Sequence, residues 1–110
     1  MKQEIENRLV IKDRKLLKSI EIFMGYTVGF ISDKFTWNDI MPVIEKIEKD
    51  TQTNIMIVGR FVQLVIWNER GLNILHSKTF EEKTKIESAW LAVVEFIKWY
   101  NEYRTFKTKN

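Results

Sequence analysis

Apolar residues recur every three or four positions in three stretches of the chain, which is the spacing of one face of an α-helix. The first stretch predicts an amphipathic helix over residues 13–24 that Gly25 ends. The second predicts a helix that begins at one of the N-cap candidates in residues 36–39 and ends near Asp50. The third predicts a last helix over residues 84–104, which at about 1.5 Å per residue spans about 30 Å.

Two features constrain where these helices begin. Pro42 fits only the first turn of a helix, so the second helix either starts near Asn38 or Asp39 or kinks at Pro42. Thr84 and Glu87 have the spacing of a capping box, which marks the start of the last helix.

The middle of the chain is rich in β-branched and aromatic residues, which favours strands. Residues 53–59 and 61–67 meet at Gly59 and Arg60, a two-residue connection typical of a β-hairpin. After a turn that contains a further Gly, residues 72–77 predict a third strand. The three strands together predict an antiparallel meander.

The predicted fold class is α+β, a three-stranded antiparallel β-meander with helices packed on it, in the order α-α-β-β-β-α. We expect a single domain over residues 1–110. Residues 1–11 form an arm, a short strand or an extension of the first helix, and the sequence leaves these three alternatives open. Residues 25–35 predict an ordered loop, and residues 105–110 predict a frayed tail. Since the strands have alternating apolar faces, we expect one face to meet the last helix and the other to meet the first two.

The composition is that of a folded protein, with 45% hydrophobic and 13% aromatic residues. The absence of Cys excludes disulfides and iron–sulfur ligation, and it suits a reducing cytosol. The longest nearly apolar run, residues 55–67, falls short of the roughly 20 residues of a membrane-spanning helix. Residues 1–6 carry acids where a signal peptide has its positive region. We therefore expect a cytoplasmic protein.

The net charge of +3 is unevenly distributed along the chain. Both ends and the predicted strands are basic, whereas the second and last predicted helices are acidic. This alternation argues against a uniformly basic protein that coats nucleic acid, because phosphate binding strengthens with each Lys or Arg gathered on one face. A local basic patch stays open.

The sequence offers little material for catalysis. His76 is the only imidazole and lies among strand residues, where a structural hydrogen bond is the simpler interpretation. Glu81, Glu82 and Lys83 contain the acid-x-Lys spacing of metal-dependent nucleases, but they lead into a capped helix, whose first turn favours acids. No Gly-rich phosphate loop is present. We therefore expect no catalytic residue, no metal site and no cofactor.

Aromatic residues are the stronger candidates for function, because Trp and Tyr are enriched at the centres of protein interfaces. Trp90 lies on the core face of the last predicted helix, whereas Trp99 and Tyr103 lie partly off it. These two side chains are either anchors for a partner or a cover over the rim of the core. The basic residues expected to assist a partner electrostatically are Arg60, Arg70, Lys83 and Lys85.

Direct binding of RNA or DNA is the alternative. The order α-β-β-β-α is that of the double-stranded RNA-binding domain, which places lysines such as Lys83 and Lys85 on phosphates. The tight turn at Gly59 and Arg60 departs from that domain, since it lacks the Pro and His that enter the minor groove. Single-stranded bases could instead stack on the sheet beside Arg60, Phe61, Trp67 and Arg70.

Three stretches resemble a group of small, uncharacterised bacteriophage and prophage proteins: residues 21–26 with FMGY, residues 37–48 with IMPVIEKIE, and residues 84–102 with TKIESAW and VVEFIKWYNE. They cover about half of the chain in the right order, and the last is the most specific. The group has no assigned reaction and no established site residues. The resemblance implies a phage accessory protein that works in the bacterial cytoplasm.

Together these features predict a non-enzymatic binding protein that docks on a host protein or ribonucleoprotein. Small phage proteins without catalytic groups commonly bind a host machine, and inhibitors of nucleic-acid-targeting defences such as CRISPR are one such class. That part of the hypothesis is an analogy of setting and follows from no particular residue. The oligomeric state is left open.

Overall fold

The computed structural model describes the backbone of residues 8–109 and the side chains of residues 9–103. The fold is α+β, as predicted, and residues 8–109 form two antiparallel sheets and three helices. In chain order the elements are β1 (Arg8–Val10), α1 (Arg14–Met24), β2 (Lys34–Thr36), α2 (Trp37–Asp50), β3 (Thr53–Val58), β4 (Phe61–Trp67), β5 (Ile74–Glu81) and α3 (Lys85–Lys109). The predicted order is therefore incomplete, because β1 and β2 are missing from it.

The predicted meander is found in part. Its three strands pair in the order β3-β4-β5, but the third strand runs over Ile74–Glu81, where the sequence predicts residues 72–77. Val58 pairs with Phe61 across a two-residue turn, and Gly59 has a φ of 60° there, a left-handed value that Gly adopts without steric cost. Strand β4 also pairs with β5, from Phe61 opposite Glu81 to Trp67 opposite Ile74, with one irregularity beside Trp67. β4 is thus the central strand.

Strands β1 and β2 form a separate two-stranded sheet, in which Leu9 pairs with Phe35. Of the alternatives for residues 1–11, the short strand is found for Arg8–Val10, and residues 1–7 lie outside the described part. The segment 25–35, predicted as a loop, ends within β2. Three-residue strands are too short to show a periodicity, so only their pairing across the chain reveals them.

A buried carboxylate fixes the connection between α1 and β2. The Glu21 side chain is fully buried and accepts hydrogen bonds from the backbone N–H groups of Gly29, at 3.0 Å, and Ile31, at 2.8 Å. These bonds, first that from Ile31 and then that from Gly29, lower the pKa of Glu21, and the charge of Arg14 adds to them. The ionised carboxylate therefore satisfies backbone N–H groups that a helix or a sheet would otherwise satisfy.

Helix α2 begins earlier than its proline suggests. Its N-cap is Thr36, whose backbone N–H and hydroxyl both donate to Asp39 Oδ2, at 2.8 and 3.0 Å. Thr36 is one of the predicted N-cap candidates, and the helix starts one or two residues before the Asn38 or Asp39 that Pro42 suggests. Pro42 is consequently the sixth residue of the helix and lies beyond the first turn. The Pro42 side chain is exposed, so its ring does not displace side chains of the core.

The core lies between the meander and the helices. Helix α3 packs on β4 and β5, α2 packs against α3 and β3, and α1 packs against α2 and α3. The fully buried side chains shared by these elements include Leu17, Ile40, Ile47, Leu64, Val93 and Phe96. Helix α3 continues to Lys109 and so includes residues 105–109, which the sequence assigns to a tail.

The opposite face of the meander is open, contrary to the expectation that the first two helices cover it. Met56, Val58 and Phe61 on that face are 48%, 71% and 51% exposed. When apolar residues occur on both faces of a strand, the sequence does not show which face is covered, because exposing an apolar side chain costs little free energy. Within the described residues, no helix is long and apolar enough to cross a membrane.

Candidate functional site

Two grooves lie at opposite ends of the β3–β4 hairpin. The first, which we call the aromatic groove, has a volume of about 830 Å³ and lies where β3 begins and β4 ends. Its ring and aliphatic side chains are Trp67, Leu75, Trp99, Tyr100 and Tyr103. The second, the basic groove, has a volume of about 730 Å³ and lies at the hairpin turn. Its walls include Trp37, Met41, Arg60, Lys83 and Lys85.

The six predicted partner residues divide between the two grooves. Trp99, Tyr103 and Arg70 line the aromatic groove, whereas Arg60, Lys83 and Lys85 line the basic groove. Along β3, Thr53 lines the aromatic groove and Ile57 lines the basic groove, four positions apart, which is about 13 Å at 3.3–3.4 Å per residue. The single surface expected from the sequence, which combines aromatic anchors with all the basic groups, is therefore two surfaces.

Helical spacing brings Trp99 and Tyr103 together on the wall of the aromatic groove. They are four residues apart on α3, so they lie one above the other on the same helix face. Their rings stack in parallel, with centroids 4.9 Å apart and planes at 9°. Both residues are part-buried and line the groove, and Trp99 also packs against the core.

Neighbouring elements hold the rest of the aromatic groove. Trp67, at the end of β4, donates from its indole Nε1 to Asn54 Oδ1 at 3.0 Å, and this bond orients the indole. Tyr100 stacks on Phe96 with centroids 5.6 Å apart and meets the edge of Phe23 at 5.4 Å, which links the groove to the buried core. These contacts make the aromatic wall a preformed surface.

The charged residues that line the aromatic groove are two bases and two acids, Lys49, Arg70, Asp50 and Glu69. Asp50 Oδ2 accepts a hydrogen bond from Lys46 Nζ at 2.7 Å, which lowers the pKa of Asp50 and keeps it ionised. The groove therefore presents both signs of charge around an apolar centre.

Three elements contribute to the basic groove: the first turns of α2, the hairpin turn and the start of α3. Arg60, Lys83 and Lys85 are all exposed, and the residues of the described chain that line this groove include no acid. Trp37 and Met41 are part-buried and form its apolar wall. Thr84 Oγ1 donates to Glu87 Oε1 at 3.1 Å and accepts from the Glu87 N–H at 3.3 Å, so the predicted capping box shapes this edge.

His76 has the structural role that its strand position suggests. Its Nε2 lies 2.8 Å from Glu95 Oε2 on α3, and Lys78 Nζ lies 3.8 Å from the other carboxylate oxygen. The three side chains connect β5 to α3 and line neither groove. Among the described side chains, no group of three or more His, Asp or Glu residues is placed to hold a metal ion.

Sequence reasoning missed some of the residues that complete each groove. Leu75 belongs to the aromatic groove, and Trp37 and Met41 belong to the basic one. Trp67, which the sequence put forward only for stacking bases, lines the aromatic groove. The spacing of Trp37 and Met41, four residues apart in α2, indicates that they share a helix face, but it does not indicate that the hairpin turn lies beside them. Comparisons of the chain with family models, with curated proteins and with solved structures find no match.

Proposed function

We propose that this chain is a non-enzymatic binding protein that docks on a host protein or ribonucleoprotein through the aromatic groove. The observation that carries the proposal is the parallel stack of Trp99 and Tyr103 on the groove wall. Trp and Tyr supply a large contact area with few rotatable bonds, so they bind partners at a small loss of side-chain entropy. A groove of about 830 Å³ is large enough to receive a bulky side chain of the partner together with its neighbours.

The lining predicts the chemistry of the partner segment. An aliphatic or aromatic side chain would fill the centre, against Trp67 and Trp99. Charged side chains of both signs would flank it, because Arg70 and Lys49 attract acids and Asp50 attracts bases. Such a segment is typical of a protein surface, and it differs from a nucleic acid, whose backbone offers only negative charge.

The resemblance to phage proteins supplies the setting of the proposal, which is the cytoplasm of a bacterial host. An inhibitor of a nucleic-acid-targeting defence such as CRISPR fits this setting, because a blocking protein needs affinity for its target and no turnover. In such complexes the affinity comes from a few well-packed aromatic and Arg side chains. The aromatic groove offers both residue types.

Affinity capture from a nuclease-treated bacterial lysate tests the proposal. The variants are a Tyr103→Ala, Arg70→Glu double substitution in the aromatic groove and Arg60→Glu in the basic groove. We expect the wild-type chain to capture a protein partner, the double variant to lose most of it, and Arg60→Glu to retain it. Arg60→Glu is the matched control, because it makes the same charge change as Arg70→Glu at the other end of the hairpin.

The proposal fails if the double variant and Arg60→Glu capture the same proteins as the wild type, since the groove would then make no contact. It also fails if nuclease treatment removes everything the wild type captures. Circular dichroism and the thermal midpoint of each variant check that it is folded. Trp99→Ala is a poorer probe, because Trp99 also packs against the core and its truncation would lower stability.

A further inference from the structure

We infer that the basic groove is a second binding site, for a short stretch of single-stranded nucleic acid. The inference does not depend on the proposed docking at the aromatic groove, because the two grooves share no lining residue. Arg60, Lys83 and Lys85 would contact the phosphates, and Trp37 would contact a base.

Charge is the first argument. Three exposed cations from two segments of the chain converge on one groove, whose described lining holds no carboxylate. The aromatic groove, of similar volume, has both signs of charge, so the basic lining is a local property and does not follow from the net charge of +3. A cluster of three cations can neutralise about three phosphates and release their counterions.

The apolar wall is the second argument, because it favours a nucleic acid over other anions as the ligand of this groove. Trp37 and Met41 line the same groove as the cations, and a ring beside phosphate-binding side chains is the usual arrangement for stacking an unpaired base. A protein segment rich in acids would use the cations but would offer no base to stack on the indole. The aromatic residue that the sequence reasoning put forward on this end of the sheet, Phe61, does not line the groove.

Shape is the third argument. The groove is a concave space of about 730 Å³ at the tip of a hairpin, and this volume suits one or two nucleotides. The phosphates of a duplex lie on a broad convex surface, and its bases are stacked inside, so a duplex cannot present a base to Trp37. The structure therefore favours the single-stranded alternative over the double-stranded one.

The test is fluorescence anisotropy with a short fluorescein-labelled oligothymidylate, titrated with the full chain at a series of salt concentrations. We expect binding at low salt and a slope of log K against log salt of about −2, since each phosphate contact to a single strand contributes about −0.7. Arg60→Glu should weaken binding and make the slope shallower by about 0.7 or more. Arg70→Glu, with an identical change of net charge in the aromatic groove, should bind as the wild type does.

Trp37→Leu tests the stacking, and we expect a loss of affinity of about 5- to 150-fold with an unchanged salt slope. Circular dichroism identifies any failure of this variant to fold, in which case Arg60→Glu, at an exposed turn, still decides the question. The inference is overturned by any of three results: no binding at low salt, equal loss in Arg60→Glu and Arg70→Glu, or displacement of the label by inorganic polyphosphate as readily as by unlabelled oligothymidylate. Tighter binding of the annealed duplex would also overturn it.

Discussion

Truncation of Phe35 to Ala should destabilise the folded protein by about 3–5 kcal/mol. Phe35 is completely buried in β2, and its ring centroid lies 5.1 Å from that of Trp90 on α3, at an interplanar angle of 58°. The substitution removes the whole ring from a site that the surrounding core cannot collapse to fill. A domain of this size typically has a free energy of unfolding of about 5–15 kcal/mol, so the loss is a large part of the total.

Urea unfolding, followed by circular dichroism and by Trp fluorescence, measures this loss directly. For a domain of this length, each kcal/mol lowers the thermal midpoint by about 4–8 °C, so the midpoint should fall by more than about 12 °C. A double-mutant cycle with Trp90→Leu should also give a coupling energy of about 0.5–1.5 kcal/mol, the usual value for a buried aromatic pair.

Phe30→Ala is the matched control, because Phe30 belongs to the same segment between α1 and α2. Its side chain is 69% exposed and contacts Tyr26, with the ring centroids 4.8 Å apart. We expect it to cost about 1 kcal/mol or less. If Phe35→Ala costs as little as Phe30→Ala, then Phe35 does not belong to the core, and its packing against Trp90 is refuted.

Three further predictions concern stability. The Ile31 and Gly29 amides lower the pKa of Glu21 in the folded state, so the stabilising effect of Glu21 is complete above its ordinary pKa of 4.5 and is lost as the pH falls through the folded value. Urea midpoints measured against pH should therefore decline more steeply at acid pH for the wild type than for Glu21→Gln. Parallel curves for the two proteins would contradict this. Pro42→Ala should raise the free energy of unfolding by about 2 kcal/mol, because it restores a helical hydrogen bond at an exposed site and makes the unfolded chain only slightly more flexible. An unchanged thermal midpoint would show that α2 already accommodates the proline. Gly59→Ala should lower stability by about 1 kcal/mol because of its φ of 60°, as measured by urea unfolding, and a gain in stability would show that the turn has another conformation.

The elements found from the sequence are those whose signals are local. Helix α1 was predicted within one residue, because Asp13 caps it, accepting from the Leu16 N–H at 3.1 Å, and Gly25 ends it with a φ of 76°. The hairpin was predicted from its Gly59 turn and two β-rich runs. In each case the interactions that define the element lie within a few residues of one another, so a short window of sequence contains them.

The elements that were missed depend on contacts between distant segments. Leu9 pairs with Phe35 across 26 positions of the chain, and a three-residue strand has no pattern of its own. Glu21 lies within the first amphipathic helix, yet it is fully buried and binds amides eight and ten residues away. A carboxylate buried among backbone N–H groups looks, in sequence, like any exposed helical acid.

The candidate site shows the same division. The stack of Trp99 and Tyr103 follows from their four-residue spacing and was predicted as a pair. The separation of Arg60 from Arg70 was not predicted, because both residues flank β4 and lie only ten residues apart in sequence. A strand carries its two ends apart by about 3.3 Å per residue, so residues near in sequence can lie in different grooves.

The aromatic and basic grooves lie about 13 Å apart along β3 and share no lining side chain. Sites at such a distance usually contribute independently, so substitutions in the two grooves should have additive effects on binding free energy. The β3–β4 hairpin joins the grooves and is paired along its whole length, from Thr53 opposite Ile66 to Val58 opposite Phe61, so it holds them at a fixed separation. A partner that offers a protein surface and a single strand at that separation would engage both grooves with little further loss of entropy, and its affinity would exceed that of either component alone. Partners that offer only one of the two would be bound less tightly than partners that offer both, and the spacing of the grooves would then act as a second source of specificity beside their chemistry.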